Sequence, residues 1–287
     1  MNPRINPEEV RKMKVDDKMK KAISFILAVL MLASLGMTGY AEEESVITPE
    51  LILERLAEGD EASQTAEEQA ANGALRLAEM VVALDSLGAE TQDEADHLNR
   101  ILDMLNRMDV PEESFEHKLA AGTVKTFEAL VIFQQQIDRD EAYADEAQKI
   151  FDSFLKNDEK AEGARQQAVN GLYHSVLVTS VIARSLCRNQ DMIRQIDAEV
   201  KAFDDADKLG TSSDVDQLLL GSETLLRMLT AVASILDTRG SFSASVREIS
   251  ENTYSVDTEA EGPSYALANW LYGCVHMTSL IAEEMGA

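Results

Sequence analysis

Apolar residues recur at helical spacing in five stretches of the chain, and the stretches themselves recur at a fixed step. Residues 176–183 (V-L-V-T-S-V-I-A) and 275–282 (V-H-M-T-S-L-I-A) share one register 99 positions apart. Residues 226–233, 127–134 and 78–85 occupy the same phase. Anchored on Gly73, Gly122, Gly171, Gly221 and Trp270, the steps are 49, 49, 50 and 49. A constant period near 50 with a 3.6-residue pattern inside each unit predicts an array of helical hairpins. Three columns stay apolar through all five units. They are Ala78, Phe127, Val176, Leu226, Val275; Met80, Ala129, Val178, Met228, Met277; and Leu84, Phe133, Ile182, Val232, Ile281. Each marks a longer helix packed on its neighbours. A shorter helix precedes each longer one, as in 93–108, where Leu98, Ile101, Leu102 and Leu105 fall on one face.

The predicted fold is therefore all-α: five tandem hairpins of about 49 residues (44–92, 93–141, 142–190, 191–240, 241–287) in one domain, α-solenoid-like, with a closed α/α toroid or a compact helical bundle as alternatives. The array generally resembles the right-handed helical-repeat solenoids of the HEAT and tetratricopeptide kinds. It matches neither motif: the period exceeds that of the tetratricopeptide unit, whose Trp-Leu-Gly-Tyr signature is absent. An Asp ends every shorter helix at one phase (Asp60, Asp109, Asp158, Asp207, Asp257) and is expected to cap the helix that follows, with closure of the turn by its side chain as the alternative. Asp109-Val-Pro111-Glu112 has the form of a capping box with Pro early in the helix.

The amino-terminal 41 residues depart from this pattern. Lys18, Lys20 and Lys21 precede an apolar run over 22–35, then Thr38-Gly39-Tyr40-Ala41 and an acidic Glu42-Glu43-Glu44. That is the layout of a secretory signal peptide, and Met19 opens it better than Met1 does. The run is too short for a comfortable membrane span, so no stable membrane insertion is expected after cleavage. Removing 1–41 takes seven Lys/Arg and four Asp/Glu from totals of 26 and 52, leaving 19 and 48 and a net charge of −29. Such a field repels nucleic acid and anionic lipid, suits a secreted or cell-envelope location, and favours protein or basic-peptide partners. Cys187 and Cys274 fall in apolar runs and are expected as buried thiols rather than a disulfide.

Candidate chemistry concentrates three and six residues past each anchor. The first column reads Arg76, Lys125, His174, Thr224, Gly273 and the second Glu79, Glu128, Leu177, Arg227, His276. Arg76 with Glu79, and Lys125 with Glu128, stand at i,i+3 and can pair along one helix face. Stacked in parallel, the columns predict an exposed polar stripe serving as a ligand-binding surface, made by Arg76, Glu79, Lys125, Glu128, His174, Arg227 and His276. The leading functional expectation is an exported, acidic, non-enzymatic helical-repeat protein that binds a protein or peptide. A toroid-type glycosidase or lyase, with Glu79, Glu128, His174 and His276 in its cleft, is the alternative. No nucleophile–base pair is fixed by spacing, and no catalytic residue or cofactor is assigned. Two turns carry partial calcium-loop spacing, Asp205-Ala-Asp207-Lys-Leu-Gly210 with Asp216, and Asp257-Thr-Glu259-Ala-Glu261-Gly262. Leu209 breaks the first and Ala268 the second, so a weak cation site is a further alternative and no metal ligand is assigned. Trp270, the single Trp, is expected to pack rather than to stack on sugar.

The exported form should begin at Glu42. Intact mass and amino-terminal sequencing of protein secreted by a bacterial host test this; a chain that retains 19–41 would instead be anchored by its apolar run.

Overall fold

The computed structural model describes residues 47–138, 140–207, 213–238, 240, 242–255 and 261–286. The predicted signal peptide lies outside the described residues. Ten helices are present among those described. Shorter and longer ones alternate: α1 (Pro49–Ala62), α2 (Ala66–Ser86), α3 (Gln92–Met108), α4 (Phe115–Ile137), α5 (Ala144–Asp158), α6 (Ala164–Leu186), α7 (Gln190–Asp207), α8 (Asp214–Leu236), α9 (Ser243–Tyr254) and α10 (Pro263–Gly286). The fold is all-α, as the periodicity predicts.

Each longer helix starts where a residue eight positions before the anchor can cap it. Thr65, Ser114 and Ser213 accept the backbone N–H of Glu68, His117 and Asp216 at 3.2–3.3 Å. Glu68 and Asp216 return the bond as capping boxes. Gly163 holds the corresponding place before α6 without a side chain to offer. The Asp column does something else. Asp60 sits in the last turn of α1 and accepts from Gln69 and Tyr272. Asp109 is the C-cap of α3, and Asp158 is the last residue of α5. None of the three caps the next helix, because four residues separate each from the Thr, Ser or Gly that starts it. Asp109-Val-Pro111-Glu112 is accordingly turn, and α4 begins only at Phe115. The side chain of Asp207, and residue 257, lie outside the described residues.

The three apolar columns are the core. All fifteen of their residues are buried, none more than 2% exposed. What brings the longer helices this close is the anchor glycine. A Cβ on Gly122 would stand 2.5 Å from the backbone of Ala74 in α2, and one on Gly171 2.7 Å from the backbone of Thr123 in α4. Gly221 faces Leu172 of α6 less closely, where a Cβ would stand 3.2 Å from the Leu172 Cβ. In the fifth unit the approach comes one turn later: Gly273 abuts Leu226, and Cys274 Sγ lies 3.8 Å from the carbonyl of Ser222. Trp270 is thereby released outward, half-buried and edge-on to Tyr254 at 5.5 Å.

The array then meets its own beginning. Gly73 of α2 packs on Leu271 and Tyr272 of α10, Tyr272 Oη bonds Asp60 and Asn72, and Ser264 donates to Glu67. The five longer helices thus form a closed set with the shorter ones outside, which selects the closed arrangement among the alternatives the period leaves open. α8 is long and apolar enough to cross a membrane, but Leu225, Leu226, Met228 and Val232 bury its apolar face in this core. Cys187 and Cys274 are both buried free thiols.

Gly122→Ala should lower the melting temperature. The clash is with backbone, which yields little, and overpacking of this kind costs about 1–3 kcal/mol. Gly163→Ser, where a Cβ meets nothing within 4 Å, should hold or gain a few tenths of a kcal/mol by supplying a cap. Thermal unfolding of both checks it; a Gly122→Ala protein as stable as the parent would remove the close-approach argument.

Candidate functional site

The polar columns do not form one exposed stripe. They point outward from the closed set of longer helices, on a side that the shorter helices cover at Arg76, Glu79 and His174 but not at Arg227 or His276. Arg76 and Glu79 are 2% and 1% exposed. Arg76 holds both oxygens of Glu79 at 2.7 and 2.8 Å, bonds Asn72 and pairs with Asp109, while Arg55 of α1 reaches Glu79 at 3.2 Å. Burial pushes the Glu79 carboxyl above its usual range, against the pull of the two guanidiniums. Two cations and two anions balance here, which is what lets charge persist under the outer layer. Lys125 and Glu128 pair with each other at 2.6 Å, half-buried. Arg227 is exposed and bound to Glu199 and Glu223. His276 lies on the exposed side of α10. Glu79, Glu128, His174 and His276 are thus dispersed among four helices and share no contact among the described residues.

His174 differs from the rest of the row, because a cleft-lining hydroxyl rather than an ion pair meets its ring. The ring is fully buried, edge-on to Phe127, Phe154 and Tyr173 at 5.0–5.8 Å. Nδ1 lies 2.9 Å from the carbonyl of Asn170 and therefore carries the proton it donates there. Nε2 is left as an acceptor, 3.2 Å from Oγ of Ser153 on α5. Burial lowers the imidazole pKa, so the ring is neutral at neutral pH.

Above this pair opens a polar cleft of about 460 Å³ between the third and fourth hairpins. Ser153, Asn157 and Lys160 wall it from α5 and the following turn; Gln166, Asn170 and Tyr173 from α6; Asp204 and Gln217 from α7 and α8. Tyr173 Oη donates to Asp204 at 2.7 Å and ties the two hairpins together. Asn170 Nδ2 bonds the carbonyl of Phe154 at 3.1 Å. Asn72 and Asn269 make the same bond to Leu56 and Thr253, each to a carbonyl 16 residues back. This Asn column, one position before the anchor in the first, third and fifth units, was readable in the sequence and is absent from the candidate residues above. A smaller cleft of about 370 Å³, between α4 and α5 beside Gln134, Asp138 and Phe151, holds no nucleophile–base pair.

The calcium-like turns are partly accounted for. Asp216 spends its carboxylate on the N–H and hydroxyl of Ser213, at 3.1 and 2.9 Å. Residues 208–212 and 256–260 of those loops lie outside the described residues. Ala268 is buried in α10.

One carboxyl sits wholly inside without a partner among the described residues. Asp85 is 0% exposed, and neither carboxyl oxygen has a hydrogen-bond partner. Desolvation raises its pKa well above the usual value. Ala183, Ala233 and Ala282 fill the same column in other units. A raised folded pKa means that the native state favours the protonated form. Its stabilising contribution is complete below the unfolded pKa of about 4 and is lost as pH rises through the folded value. Asp85→Ala should therefore melt higher than the parent at pH 8, by an amount on the order of 1–3 kcal/mol, with the gain vanishing towards pH 4. Thermal scans across that range check it, and a variant less stable at pH 8 would mean that the carboxyl has a partner. Comparison with known protein families, characterised proteins and solved structures finds no match to this chain.

Proposed function

We propose that the chain is an exported, acidic helical binding protein whose ligand is a peptide or an extended protein segment, seated in the cleft between the third and fourth hairpins. The observation that carries this reading is the amide lining. Asn157 and Gln166 stand along one opening of about 460 Å³ beside Asn170 and Gln217, and an amide pairs a donor with an acceptor as a peptide backbone does. Arg76 and Glu79 are consumed in an ion pair beneath the outer helices and Arg227 in exposed ones, whereas the cleft opens beside His174. A ligand there would touch two hairpins joined by the Tyr173–Asp204 bond. The formal net charge of −26 draws basic peptides to the surface and makes their association salt-dependent.

A fluorescent decapeptide of alternating Lys and Ala tests the reading by anisotropy titration at low and physiological salt. Asn157→Trp, at an exposed helix position, should fill the cleft and weaken binding by more than tenfold while leaving the melting temperature in place. Equal affinity of parent and variant would move the ligand elsewhere on the surface.

A further inference from the structure

The hydroxyl of Ser153 behaves unlike most others in these helices. Thr123, Thr126, Ser175, Thr179 and Thr224 each donate to a carbonyl one turn back in their own helix. That is the ordinary resting place of a helical hydroxyl. Ser153 instead reaches across the hairpin to Nε2 of His174 at 3.2 Å. The imidazole is itself oriented from its far side by the Asn170 carbonyl at 2.9 Å, which leaves Nε2 with a lone pair facing Oγ. A hydroxyl within hydrogen-bond reach of a base, with the base held by a third group, is the arrangement that activates a serine. The base is buried and the hydroxyl exposed at the cleft wall, so the nucleophile is the member that solvent and substrate reach.

We propose that Ser153 and His174 are a nucleophile–base pair, and that the cleft takes a carboxylic ester whose acyl group is passed to water. This rests on the reading of the cleft as the ligand site. Oγ attacks the ester carbonyl as its proton moves to Nε2, and the carbonyl π electrons move onto oxygen. Collapse of that adduct breaks the bond to the alcohol, which leaves with the proton from Nε2 and leaves an acyl ester on Ser153. Water then attacks this ester, giving a proton to Nε2; the second collapse releases the carboxylic acid and returns the proton to Oγ. No oxidant, metal or second cofactor enters the balance. Asn157, one turn beyond Ser153 on the same helix, and the Lys160 ammonium line the same cleft. They are the donors nearest in sequence for the oxygen that gains charge.

A fluorophosphonate probe, which phosphonylates activated serines without needing the natural acyl group, tests the pair in the full chain. The expected result is a single adduct mapped by mass spectrometry to Ser153 and absent from Ser153→Ala, a substitution at an exposed site. His174→Gln should slow labelling by about 100-fold or more. The parent's labelling rate should fall with acid through a single protonation step that lies below the ordinary His range, because burial lowers the imidazole pKa. The parent's pH profile carries the test of the base even if the buried substitution unfolds the protein. No adduct, an adduct on another serine, or a rate indifferent to both pH and His174→Gln in a folded variant overturns the proposal. Absent labelling alongside intact decapeptide binding overturns the chemistry alone. Labelling without decapeptide binding supports the ester and removes the peptide.

Discussion

The structure depends on how closely one helix backbone can lie against the next. At Gly122 and Gly171 the neighbouring main chain stands where a side chain would begin. Helices that approach this far leave an interior of side chains only, with every apolar column fully excluded from water. Buried polar groups that do not bond across to a shorter helix, as Asn170 and His174 do, then take one of three arrangements. They turn onto their own helix, as Thr123 and Ser175 do; they are neutralised in place, as Arg76 and Glu79 are by each other and by Arg55 and Asp109; or they are stranded, as Asp85 is. The outward side of each longer helix is looser. There a shorter helix lies over polar residues, and how well it covers them decides what solvent can reach.

Polar side chains also set the register of that outer layer. Asn72, Asn170 and Asn269 each tie a longer helix to a carbonyl near the end of the shorter one before it. Asp138 and Asp237 do the corresponding work at the other end, where the second and fourth units turn into the next hairpin. Asp138 accepts the N–H of Ala142 and Tyr143, and Asp237 that of Phe242 together with the Ser243 hydroxyl. The Asn serve odd units and the Asp even ones. A buried hydrogen bond to a fixed carbonyl permits one sliding position of a hairpin where apolar contact alone permits several.

The apolar columns and the glycine anchors were legible because they follow from period and phase, which a linear sequence preserves. The polar stripe was misread for a physical reason. Phase fixes the side of a helix on which Arg76 or His174 lies, but not whether another helix covers that side. The Asp column was assigned to capping although Thr65, Ser114 and Ser213 recur at the same step with the better geometry. Ser153 and His174 are 21 residues apart on opposite arms of a hairpin, so no spacing within one helix brings them together. Pairing positions symmetrically about the turn that ends at Gly163 is the operation that finds them. The partner of Gly73 was beyond any local pattern, since Tyr272 is reached only when the array closes.

That closure bears on the order in which the molecule comes to exist. A ribosome delivers α2 first and α10 last, so the side of α2 around Gly73 waits unpaired until Leu271 and Tyr272 arrive. An open array can settle unit by unit as it is made, each hairpin supported by the one before. Here the first hairpin's Asp60, Asn72 and Glu67 all have partners in the final helix. The nascent chain is therefore committed to an incomplete seam for most of its synthesis. A truncated product lacking α10 would expose that seam permanently, together with the face of α8 around Leu226 on the other side of the gap.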